Sequence, residues 1–181
     1  VQIGDFGLGF PDHPNPKKQR RIEDTLNTAM QKGRHRFIRG NHDSPGACLL
    51  HPLWINDGLI ETPDDGPTRM FVGGADSFDK DYRIEDYSWW RDEELSQEAF
   101  MRIIETYGKF KPKMMITHDA PQSVIQHLFG YEPSRTRQAF DSMLSIHVPD
   151  VWIFGHHHVR IDMNILGCRF ICLEELQYID L

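Results

Sequence analysis

The chain has 181 residues, with 27 Asp and Glu against 20 Lys and Arg, a formal net charge of −7 and 39% hydrophobic content. That length supports one soluble domain with a full core, and the acidic balance argues against broad affinity for a nucleic-acid backbone, which needs a basic face. No apolar run reaches the roughly eighteen residues of a membrane span.

The three cysteines, Cys48, Cys168 and Cys172, are odd in number and lack zinc-ribbon spacing. They favour a reducing compartment, and the expected location is cytoplasmic.

In chain order, residues 1–6 read as a buried strand running into the glycine-rich Gly7-Leu8-Gly9. Pro11, Pro14 and Pro16 hold the next stretch as a loop. Residues 17–32 place Ile22, Leu26, Ala29 and Met30 at helical spacing, with Gly33 as the stop. Arg36-Phe37-Ile38 is a short strand, and a short helix is expected around residues 47–50. Leu59-Ile60-Glu61 and Arg69-Met70-Phe71-Val72 flank the turn cluster Pro63-Asp64-Asp65-Gly66-Pro67 and predict a hairpin.

Residues 76–94 are acidic and irregular, and Tyr82, Tyr87, Trp89 and Trp90 fall within them. The favoured reading is a loop pinned to the core by its tryptophans. The competing one lays its aromatics over a substrate ring. Ser96 then caps a helix with Glu98 in its first turn, an apolar face of Phe100, Ile103, Ile104 and Tyr107, and Gly108 as the stop. Strand Met114-Met115-Ile116 follows Pro112. Helices are expected at 123–129 and 136–147, the second turning Ala139, Phe140, Met143 and Leu144 inward. Val151-Trp152-Ile153-Phe154 is a strand buried on both faces. The tail, 159–173, is a hairpin about Leu166-Gly167 in which Cys168 and Cys172 are small buried residues.

The chemistry gathers where these strands end. Gly4-Asp5, Arg39-Gly40-Asn41-His42-Asp43, Thr117-His118 and Gly155-His156-His157-His158 each follow an apolar run. In open α/β sheets ligands bind beyond the carboxyl ends of strands. An Asp, an Asn and three His form a hard-to-borderline donor set suited to Mn²⁺, Fe or Zn²⁺. An imidazole beside them can donate a proton, and a carboxylate can orient that imidazole.

Taken in order, Gly-Asp, Gly-Asn-His-Asp, a strand-end His and Gly-His-x-His resemble the calcineurin-like metallophosphoesterases, over residues 5–158. The resemblance implies an α/β fold of two packed mixed sheets flanked by helices, a four-layer sandwich, as a single domain over residues 1–181. The family's opening Asp-x-His motif has no counterpart before Asp5, so Asp5 is read as the second motif, in a chain lacking the first strand. Asp12 and His13 are poor substitutes for that motif.

By resemblance, Asp5, Asn41, His118 and His156 hold one of two divalent ions, and Asp5 with His158 the other. His42 faces the leaving oxygen as proton donor, Asp43 holds its tautomer, and Arg39 either pairs with phosphate or forms a surface ion pair. His157 receives no role and is expected on the opposite face of its segment. The implied activity is metal-dependent hydrolysis of phosphate mono- or diesters, by hydroxide generated between two metals. Expected substrates are phosphorylated small molecules, nucleotides or phosphoproteins. The alternatives are a nuclease of the same fold, with nucleic acid disfavoured by charge, and a silent protein-binding scaffold, for which retention of His42 and Asp43 would be pointless. With the first motif missing, one tight and one weak metal position are expected, and little hydrolysis from this chain alone.

Overall fold

The computed structural model describes residues 1–9 and 35–180 and, between them, only Lys17, Arg20, Arg21, Asp24 and Thr28, all helical and exposed. The expected helix over 17–32 therefore lies largely outside the described residues, as do Asp12 and His13.

Two sheets organise the rest. β1 (Gln2–Ile3) and β2 (Phe37–Ile38) form a parallel pair in the register Gln2↔Phe37 and Ile3↔Ile38. The larger sheet is mixed. β3 (Leu59–Glu61) and β4 (Arg69–Val72) make the expected antiparallel hairpin. β5 (Met114–Thr117), β6 (Val151–Phe154) and β8 (Cys168–Cys172) continue from β4 in parallel, and β7 (Ile161–Ile165) closes the edge antiparallel to β8. Because β4, β5 and β6 run the same way, Val72, Thr117 and Phe154 end on one edge. The loops that leave β5 and β6 at that edge carry His118 and His156, while Asp5 and Asn41 follow β1 and β2.

Strand side chains alternate between faces, and here both faces are buried. Met70, Val72, Met115, Trp152, Phe154 and Phe170 join a core with α2 (Gln97–Phe110) and α4 (Arg135–Ile146), which contribute Phe100, Ile103, Tyr107, Ala139, Phe140, Met143 and Leu144. Their intervening neighbours Phe71, Ile116, Ile153 and Ile171 pack with Ile38, Ile55 and Ile3 on the side of the small sheet. A large apolar side chain contributes about 1.5–3 kcal/mol when fully buried, so both interfaces are held by many such increments. The order is helices, mixed sheet, small sheet. Two shorter helices, α1 (Pro45–Leu49) and α3 (Gln122–Phe129), and a 3-10 turn over Lys80–Tyr82 lie among the connections. No helix among the described residues is long and apolar enough to cross a membrane.

Two local expectations are corrected. The first strand stops at Ile3, because Gly4 (φ 100°) and Asp5 (φ 56°) both take left-handed backbone and turn the chain out of the sheet. The helix expected to stop at Gly108 runs to Phe110, where Lys111 adopts a left-handed cap at φ 44°. A helix has to end before Pro112, since proline clashes with a helical predecessor. Gly108 instead faces Ile146 of α4, with an added Cβ falling 3.5 Å from that side chain.

Candidate metal centre

Two tight turns meet at the edge of the small sheet. The left-handed Gly4-Asp5 turn presses against Gly40, so closely that a Cβ on Gly40 would collide with Oδ1 and the backbone nitrogen of Asp5. Glycine is required there by close approach. The contact places Oδ1 of Asp5 3.1 Å from the backbone N–H of His42, which donates to it.

Around that oxygen the strand-end residues converge. Asp5, His118 and His156 each offer a ligand atom, and these atoms all lie within 4.8 Å of one another. Nε2 of His118 stands 3.3 Å from Oδ1 of Asp5 and 3.1 Å from Oδ1 of Asn41. The His118 and His156 rings meet edge to face at 5.1 Å. On its far side, Nδ1 of His118 donates to the carbonyl of Ile3 at 2.7 Å, which directs Nε2 at the cluster. Asn41 is oriented likewise: its Nδ2 donates to Oγ of Ser77 at 2.9 Å, leaving Oδ1 for the site. Ser77 in turn donates both Oγ–H (2.6 Å) and backbone N–H (2.8 Å) to the carboxylate of Glu93.

The electrostatics of this group are those of a cation site. Burial alone would lower the His118 pKa, but the Asp5 carboxylate, with the Ile3 carbonyl, holds it up at about 9. Asp5 is driven the other way: burial opposes ionisation, yet the charge and hydrogen bond of His118 hold its carboxyl well below the usual range. A proton on Nε2 thus sits between two oxygens, one from Asp5 and one from Asn41. His156, desolvated and beside His118, falls to about 3 and stands neutral, with a lone pair free.

Three of the expected site residues have other partners in this structure. Asp43 does not touch the His42 ring; it is fully buried, and its oxygens accept from the backbone N–H groups of Leu8 (3.0 Å) and Gly40 (2.8 Å), bracing the two turns against each other. Arg39 is shielded from solvent. It is buried, with Nε on Asp57 at 3.0 Å and Nη1 donating to the carbonyls of Asp92 (3.1 Å) and Glu93 (2.8 Å), and it ties the central turn to the 76–94 segment. His158 (φ 54°) stays outside the cluster, exposed and paired with Glu175 at 2.6 Å, although it lines the same cleft of about 620 Å³ as Asp5, His118 and His156. Arg39→Met should destabilise the fold by about 3–5 kcal/mol in chemical denaturation, because it leaves the Asp57 carboxylate buried without its cation. A loss below about 1 kcal/mol would show that water reaches Asp57.

Several functional contacts have no motif in the sequence. The 76–94 segment is anchored by buried Trp90, with Trp89 half-buried, but it also supplies Ser77, Glu93 and Arg83. Nη1 and Nη2 of Arg83 lie 2.9 and 3.3 Å from the two ring nitrogens of His42. His157, expected without a role, is hydrogen-bonded to buried Asp119: Nε2 meets its Oδ1 at 2.9 Å, and Asp119 also receives Nε of Arg137 at 2.7 Å. This contact links the residue after His118 to the residue after His156. The only hint in the sequence is that adjacency.

A search of curated proteins finds no match. Among solved structures, a Staphylococcus aureus protein assigned as a 5'-nucleotidase, solved with alpha-ketoglutarate, superposes over 83% of this chain with a TM-score of 0.50 and 12% identity. At that identity the likeness is one of fold, and the chain spans 34% of the length of that protein. The family model described as calcineurin-like phosphoesterase matches residues 1–160, which contain every strand-end ligand named above. The chain belongs to the calcineurin-like phosphoesterase family.

Proposed function

We propose that this protein hydrolyses phosphate esters of small molecules or nucleotides with the help of divalent metal ions, the first held by Asp5, Asn41, His118 and His156. The observation that carries the reading is the convergence of Oδ1 of Asp5, Oδ1 of Asn41 and Nε2 of His118 beside His156. The donor set fits a divalent ion. It offers one carboxylate, one carboxamide oxygen turned inward by Ser77, and two imidazoles, one neutral and one carrying a displaceable proton. A second ion would share Asp5 with His158, which must first leave Glu175. Bound metal would polarise phosphoryl oxygens and lower the pKa of water.

The protein's own groups do the rest. Asp5 and Asn41 are held rigidly by backbone and by Ser77, so the ligand cage is set before substrate arrives. His42 is half-buried, and burial lowers its pKa, with the Asp5 charge opposing and Arg83 adding to the fall. Its neutral ring therefore offers one N–H as a hydrogen bond to the leaving oxygen, and the fraction that is protonated can deliver the proton needed as the ester bond breaks.

The test is metal analysis of the full-length protein, with p-nitrophenyl phosphate, bis-p-nitrophenyl phosphate and single-stranded DNA as substrates. Turnover of one of the two aryl esters should follow Mn²⁺ or Zn²⁺ occupancy and vanish with chelator. Metal-loaded protein that cleaves neither ester would sink the reading, and cleavage of DNA alone would make it a nuclease.

A further inference from the structure

We propose that Arg83 is the phosphoryl-binding cation of this site, gripping the substrate phosphate beside His42. The inference rests on the hydrolase reading above and names a residue for it. Arg39, the arginine beside the central motif, is consumed by Asp57 and two carbonyls, so it cannot serve. Arg83 reaches the site from the 76–94 segment. Its guanidinium lies against His42, whose backbone N–H binds the Asp5 oxygen of the metal cluster.

The valence of this contact is what points to an anion. Two guanidinium nitrogens face two ring nitrogens, at 2.9 and 3.3 Å. An imidazole has at most one lone pair, and an imidazolium none. At least one Arg83 N–H therefore points at a ring nitrogen that cannot accept it. Donors from Arg83 and His42 crowd together there without enough acceptors between them. A phosphoryl oxygen placed there would accept from both, and guanidinium matches phosphate through paired parallel N–H groups.

The arm is also preorganised. Nε of Arg83 is held by Asp79 at 2.7 Å, and Nη1 also donates to the carbonyl of Ser88 at 3.0 Å. Only 15% of the side chain is exposed, so little ordering remains to be done when substrate binds. In a chain of net charge −7, a fixed cation at this point offsets the repulsion a phosphate would otherwise meet.

The experiment compares the full-length wild type with Arg83→Gln, Arg83→Lys and Arg91→Gln, all loaded with Mn²⁺. Arg91 lies on the same segment but is exposed and paired with Glu85, so its variant controls for the loop. In Arg83→Gln, KM for p-nitrophenyl phosphate and the inhibition constant of inorganic phosphate should both rise by about 10- to 100-fold, as expected for a lost charged hydrogen bond. Manganese content and kcat should stay near wild type, Arg83→Lys should recover part of the loss, and Arg91→Gln should match wild type.

Phosphate inhibition within about twofold of wild type in Arg83→Gln would overturn the proposal. A fall in kcat with phosphate affinity unchanged would also overturn it, making Arg83 a positioning residue for His42. If Arg83→Gln fails the circular-dichroism check for folding, the same constants in Arg83→Lys decide, with no change from wild type as the overturning result. If the wild type shows no metal-dependent turnover, the hydrolase reading fails by itself. Calorimetric binding of inorganic phosphate to wild type and Arg83→Gln then decides this one: a loss in the variant upholds it, and equal or no binding ends it.

Discussion

His118→Ala is expected to lower affinity for the first divalent ion by more than about 100-fold and to take turnover down with it. Changing a group that merely orients a metal ligand costs about 10- to 100-fold, and on the proposed reading His118 is itself a ligand, with Nε2 3.3 Å from Asp5 and 3.1 Å from Asn41. The same residue makes metal binding depend on pH. With its pKa held near 9 in the metal-free protein, His118 carries a proton at pH 7 that a metal ion must displace.

Calorimetry in two buffers of different ionisation enthalpy should therefore show about one proton released per ion, and affinity rising about tenfold per unit between pH 6 and 8. His156, already neutral with its pKa near 3, should release none. The sign of the stability effect follows from the same values. The His118 pKa is raised from its ordinary 6.5 to about 9, so its pairing with Asp5 stabilises the metal-free fold fully below 6.5 and is lost as pH rises through 9. Thermal stability of the metal-free protein should accordingly fall from pH 7 to 10, while His118→Ala should lack that slope. Metal binding without proton release would refute this picture of the site.

The second large effect is at His42. His42→Gln is expected to lower kcat by about 10²- to 10⁴-fold while metal content stays within error of wild type, as for a proton donor that does not hold the metal. Only its backbone N–H touches Asp5, and a substitution keeps that contact. The loss should be largest for esters with poor leaving groups, whose departing oxygen needs a proton most, and small for p-nitrophenyl esters. Loss of bound metal instead would place the His42 ring among the ligands.

The structure also changes what mutation of Asp43 should mean. Read from the motif, Asp43 would orient His42; in the fold it caps the backbone of Leu8 and Gly40, so its loss would loosen the Asp5 turn rather than mistune a proton.

Much of the architecture is legible in the sequence. Strand runs such as Val151-Trp152-Ile153-Phe154 could be read because burial on both faces demands uninterrupted apolar residues, and that strand is β6. The inward face of α4 was visible from helical spacing, and Ala139, Phe140, Met143 and Leu144 are all buried. Helix and strand ends were less visible. Gly108 is as compatible with close helix packing as with a stop, and only the approach of Ile146 decides between them.

Within the site the division has a physical basis. By itself the sequence determined which residues sit at strand ends and carry ligand chemistry, because apolar runs and turn glycines are local signals. Asp5, Asn41, His118 and His156 stand out in that way. Only the tertiary structure decided what lies between them and the rest of the chain. A guanidinium takes whichever acceptors its fold presents, so Arg39 could become a buried brace while Arg83, more than forty residues on and in no motif, reached His42. The inward turn of Asn41 depends on Ser77 and Glu93 in the same way, through hydrogen bonds across distances in sequence that no spacing encodes.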